Sequence, residues 1–135
     1  MATSKTTIAV LLGSTAFAVF SLVSGAPYLE ARLPGGLPIG NVLAALGLCS
    51  LAGAAVALSP RGSVVRGFSW VSLALAIAWL PVSIALAGNL ELTFGGGRGT
   101  LWITVTLATA FAGVACLGWA LAWSLWKAVS SSGAS

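Results

Sequence analysis

The chain has 135 residues, 59% of them hydrophobic and only 6% charged, with a formal net charge of +4, where soluble domains carry about 25% charged residues. That composition excludes a soluble globular fold and indicates a single polytopic membrane domain, 1–135, expected in the plasma membrane. The six basic residues stand singly, which is a topology signal rather than a nucleic-acid surface, so no nucleic-acid partner is expected.

A hydrocarbon core about 30 Å thick needs roughly 20 apolar residues per helix. Four apolar runs meet this, at about 6–24, 40–58, 68–88 and 101–126. The fold class read from them is an all-α membrane protein, a four-transmembrane-helix bundle made of two helical hairpins. The first run follows Lys5 and exceeds the roughly 7–15-residue apolar region of a secretory signal. Pro27 also lies just after the small residues Ser24, Gly25 and Ala26, so the run reads as an uncleaved span.

The first turn, 25–40, holds three prolines and four glycines. It is expected to be a folded loop at the interface, with Tyr28 at headgroup depth. Glu30 and Arg32 form a charged pair there. Span two begins near Pro38 or Asn41, where its first N–H groups need partners. Within it Ala45, Cys49, Gly53 and Ala57 recur every four residues and make a flat face for close helix packing.

The next loop, 59–67, carries Arg61 and Arg66. Span three follows, with Trp70 near its start and with Trp79 and Pro81 in its interior. The proline frees the carbonyl of Ile77 and predicts a kink, while the Trp79 indole N–H needs a partner. Together these two residues mark a candidate cavity. The second turn, 89–100, repeats a detail of the first: Leu90-Glu91, four residues, then Gly96-Gly97, against Leu29-Glu30, four residues, then Gly35-Gly36. Glu91 and Arg98 join Glu30 and Arg32 as candidate outer-loop contacts, and Glu30 and Glu91 would make a cation site if the turns brought them together.

Span four is the longest, bounded by Trp102 and by Trp119, Trp123 and Trp126, and closed by Lys127. Ala108, Ala112, Cys116 and Ala120 give it a second small-residue face, which pairs spans two and four as the close-packed helices. Orientation follows from charge. Lys5, Arg61, Arg66 and Lys127 lie on one side without an acid, whereas Arg32 and Arg98 are offset by Glu30 and Glu91. Both termini are therefore expected in the cytoplasm.

No ionisable side chain lies deep within a span, which argues against proton- or ion-coupled transport. Histidine is absent and the two cysteines form no CxxC, so the chain carries no catalytic triad, zinc set or haem ligand. No catalytic, metal or cofactor site is expected, and the chain reads as a non-enzyme. The function expected is that of an accessory or structural subunit packed on a larger membrane complex, with lipid and other membrane subunits as partners. The alternative is a small self-associating channel or transporter lined by Thr104, Thr106 and Thr109 of span four, with Asn41 at its mouth.

Overall fold

The computed structural model describes residues 4–133. They form four long α-helices, α1 (Lys5–Ser24), α2 (Ile39–Leu58), α3 (Val64–Ala87) and α4 (Arg98–Ser132), with a one-turn 3-10 helix at Pro27–Glu30. Among the described residues there is no β-strand, only a single bridge between Arg32 and Pro38. Each of the four is long and apolar enough to cross a membrane.

The ends follow from local chemistry. Ser4 Oγ accepts the Thr7 N–H and starts α1, and Ser63 Oγ accepts the Arg66 N–H and starts α3, each satisfying a donor that the helix itself leaves free. Gly25 and Gly88 close α1 and α3 at φ +63° and +75°, the left-handed conformation that costs glycine little. Because Ser63 caps α3, Val64 to Gly67 are helical, and the basic loop is shorter than its polar residues suggest. Arg66 folds back and donates to the Ser59 carbonyl at 3.1 Å. Helix α3 runs unbroken through Pro81. Helix α4, at about 1.5 Å per residue, is over 50 Å long and continues past Trp126 to Ser132.

Helix α2 is the centre of the molecule. It packs against α1, α3 and α4, while α3 also packs on α4 and α1 rests chiefly on α2. The closest approaches are made where side chains are smallest. A Cβ at Gly47 would stand 3.0 Å from the Ala18 methyl, and one at Gly113 would stand 2.8 Å from Leu51 Cδ2. The core is correspondingly fine-grained. Ala18, Ala52, Ala54, Ala55, Ala76 and Ala120 are buried, together with Ser59, Ser69, Ser72, Ser83 and Thr109. Large apolar side chains such as Phe17, Phe20, Ile77, Phe111 and Leu125 are on the outside.

Buried hydroxyls in such a core need acceptors, and the helices supply them. Ser69 donates to the Val65 carbonyl at 2.8 Å, Ser83 to Trp79 at 2.6 Å, Thr109 to Val105 at 2.8 Å, and Ser59 to Ala55.

Candidate functional site

Three places gather the residues that carry chemistry. The first is a polar cup of about 410 Å³ between the two connections at one end of the bundle, lined by Glu30, Arg32, Asn41, Glu91 and Thr93. Its rim is built by turns. Leu33 and Gly36 close a turn with a 2.9 Å backbone bond, with Pro34 second and Gly35 third at φ +105°, the pattern of a type II turn. The bonds from Leu33 N to Leu37 O and from Ile39 N to Ala31 O, both 2.8 Å, then deliver the chain to α2. Across the cup, Asn89 pins the other connection: its Nδ2 donates to the Ala87 and Thr93 carbonyls, and its Oδ1 accepts the Thr93 N–H.

Two bonds tie these connections together. Arg32 reaches Glu91 at 2.7 Å, and Asn41 Nδ2 donates to the Leu90 carbonyl at 3.1 Å. Arg32 therefore goes to the distant acid rather than to its sequence neighbour Glu30. Glu91 is paired with the Arg32 guanidinium, and Glu30 lines the same cup. Arg98 is exposed at the start of α4 and does not line the cup. Both partners of the ion pair are exposed, 61% for Arg32 and 43% for Glu91, so the pair contributes about 0–1 kcal/mol. It positions the loops more than it stabilises them.

The second place is inside the bundle. Trp79 is 3% exposed and donates its indole N–H to Thr106 Oγ1 at 2.9 Å. One helical turn further along α3, Ser83 Oγ accepts the indole N–H of Trp102 at 3.0 Å while donating to the Trp79 carbonyl. The two indoles are 6.4 Å apart between centroids, and Phe94 stacks on Trp102 at 5.2 Å. Trp79 is also part of the wall of a lateral crevice of about 300 Å³ between α1, α2 and α4. Pro81, its companion in the sequence reading, is exposed and is not part of that wall.

The third place is the outer groove between α3 and α4, about 310 Å³ in volume. Phe68, Val71, Ser72 and Leu75 form one wall, and Ala112, Ala115, Cys116 and Trp119 form the other. Both walls follow the i, i+3, i+4, i+7 spacing of a single helix face. Ser72 Oγ is, among the described residues, the one buried side-chain polar atom without a hydrogen-bond partner.

The small-residue faces are distributed between these places. Ala45, Cys49, Gly53 and Ala57 are half-buried on α2, and Gly53 faces Leu11 of α1. On α4, Cys116 and Ala120 are buried, Ala112 is half-buried and Ala108 is exposed. Contact between α2 and α4 passes through Leu51 and Gly113. Cys49 and Cys116 are free thiols. Sequence reasoning did not single out Gly113, Ser72, Ser83 or Phe94. Gly113, lying four residues after Thr109 and seven before Ala120, was the available signal for the buried row of α4.

No family model, curated protein or solved structure matches the chain.

Proposed function

We propose that the chain is an integral protein of the plasma membrane, inserted as two helical hairpins with both termini in the cytoplasm, and that it serves as a non-catalytic accessory subunit seated on a larger membrane partner. Insertion is supported by the inverted distribution of side chains. Phe20 is 76% exposed and Phe111 69%, while serine and alanine fill the interior, an arrangement that suits hydrocarbon and would aggregate in water. The hairpins are supported by the contacts that bring Leu11 to Gly53, Trp79 to Thr106, and the two proline- and glycine-rich connections to each other. Lys5, Arg61, Arg66 and Lys127 give the opposite end a basic character without acids, which suits the cytoplasmic side.

The subunit reading is carried by the α3–α4 groove. Its two walls have the spacing that receives a helix, and the lining is almost wholly apolar, which suits the apolar face of a neighbouring membrane helix. The alternative, a self-associated pore lined by the hydroxyls of α4, draws no support from their bonding. Thr104 donates to Thr100 and Thr109 to Val105, and Thr106 is bonded to Trp79.

The test is a photo-crosslinking amino acid at Ala115, an exposed position in the groove, combined with purification in mild detergent. A stoichiometric adduct with a different membrane protein, abolished by Ala115→Trp, is the expected result. An adduct only with further copies of the chain would favour the self-associating alternative, and no adduct at all would remove the groove as a docking surface.

A further inference from the structure

The crevice between α1, α2 and α4 differs from the α3–α4 groove in having a directed polar group at one end. Helix α1 leans on α2 and leaves a gap against α4. The floor of that gap is Trp79, and its upper end is Thr106. Thr106 Oγ1 accepts from the Trp79 indole. Unlike Thr104 and Thr109, Thr106 does not spend its own proton on the carbonyl one turn back, so the hydroxyl retains a proton to donate and the indole holds its oxygen in place.

Depth selects the ligand. Thr106 lies four residues, about 6 Å along the helix, below Trp102, an indole of the type that marks the membrane interface. From there the crevice continues about 12 Å toward the bilayer centre, as far as Val114. Its remaining walls are apolar apart from Thr15, whose hydroxyl is engaged by the Leu11 carbonyl at 2.9 Å. A single hydrogen-bond donor just below the interface, with a narrow apolar channel beneath it, complements a chain that begins at an oxygen acceptor and is hydrocarbon thereafter. We infer that the crevice holds one acyl chain of a phospholipid from the leaflet on the side of the two loops, its ester carbonyl accepting the Thr106 O–H and its methylenes lying along Trp79, Ala110 and Val114. This rests on the insertion proposed above.

Trp79 supplies the readout, because it is buried and lines the crevice. The full chain is reconstituted into phosphatidylcholine carrying bromine atoms mid-chain, which quench indole fluorescence on contact, and the Trp79 emission is taken as the difference between wild type and Trp79→Phe. The expected result is quenching of Trp79 that Ala110→Leu, which fills the crevice without touching the indole bond, relieves. Thr106→Ser keeps the quenching and Thr106→Val lowers lipid retention in native mass spectrometry about fivefold, the equivalent of one hydrogen bond. Quenching of the exposed Trp70, Trp119 and Trp126 with Trp79 untouched would overturn the inference while leaving insertion intact. If no indole is quenched, insertion fails first. If brominated fatty acid in unlabelled phosphatidylcholine quenches Trp79 and brominated phosphatidylcholine does not, the occupant is not the phospholipid and the inference falls.

Discussion

Trp79 of α3 and Thr106 of α4 are joined by a 2.9 Å hydrogen bond from indole nitrogen to hydroxyl oxygen, between residues 27 positions apart in the chain. An indole N–H left without an acceptor in an apolar interior is costly, and the bond removes that cost while fixing the relative height of the two helices. Ser83 repeats the device one turn away with Trp102.

Replacing Thr106 with valine keeps the shape and deletes the acceptor. The expected loss of stability is about 1–2 kcal/mol, since hydrogen bonds between membrane helices fall in that range or a little below. Thr106→Ser is expected to retain most of it. Thermal unfolding in detergent followed by near-UV circular dichroism measures both, and equal melting for valine and wild type would show that the indole finds another partner.

Helix α1 is held by a contact that has no slack. A methyl group at Gly47 would press on the Ala18 methyl at 3.0 Å, and neither carbon has a rotamer through which to escape. Gly47→Leu is therefore expected to lever α1 away from α2 and cost about 1–3 kcal/mol. Gly13, on the far side of α1 with nothing within 4 Å, accepts leucine without loss of stability. A melting comparison of the two variants checks the assignment, and equal effects would contradict the packing of α1 on α2.

How much of this was legible in the sequence depended on period and length. Four apolar runs long enough to span are visible directly, because length and composition alone declare them, and the structure has, among the described residues, four helices long and apolar enough to cross a membrane. Partners were harder to read. The four-residue spacing of Ala108, Ala112, Cys116 and Ala120 marks small residues, but which row faces inward depends on where neighbouring helices stand, and Ala108 lies outside while Gly113 lies inside. The need of Trp79 for an acceptor was evident from its chemistry, whereas the identity of Thr106 was not, since three threonines lie close together in that helix. Likewise Arg32 has a neighbouring acid two residues away, but the turn at Pro34 and Gly35 directs it to Glu91.

The Arg32–Glu91 pair predicts a salt-sensitive link of small energy. Arg32→Ala is expected to cost no more than about 1 kcal/mol, less at high ionic strength, and the exchange Arg32→Glu with Glu91→Arg is expected to recover part of it. The decisive measurement is geometric. With Cys49 and Cys116 replaced by alanine, Arg32→Cys and Glu91→Cys should be joined by a short bis-maleimide that spans the length of the two lost side chains, and failure to crosslink would separate the two connections.

Charge asymmetry makes the orientation testable in the same cysteine-free background. Gly95→Cys, exposed in the second connection, should react in intact cells with a maleimide that cannot cross membranes, and Arg61→Cys, exposed in the loop between α2 and α3, should react only after permeabilisation. The reverse pattern would invert the topology and place the polar cup in the cytoplasm.

Ser72 and Ser69 offer a contrast within a single turn of α3. Both are buried, at 2% and 0% exposure, yet Ser69 donates to the Val65 carbonyl and lies 3.2 Å from Ser59 Oγ, whereas Ser72 Oγ has no partner. Deleting a satisfied hydroxyl loses a bond, and deleting an unsatisfied one removes a desolvated group that returns nothing. Ser69→Ala is therefore expected to destabilise the purified chain by about 1 kcal/mol, and Ser72→Ala to stabilise it by a similar amount. A loss of stability with Ser72→Ala would mean that its hydroxyl is satisfied within the bundle after all.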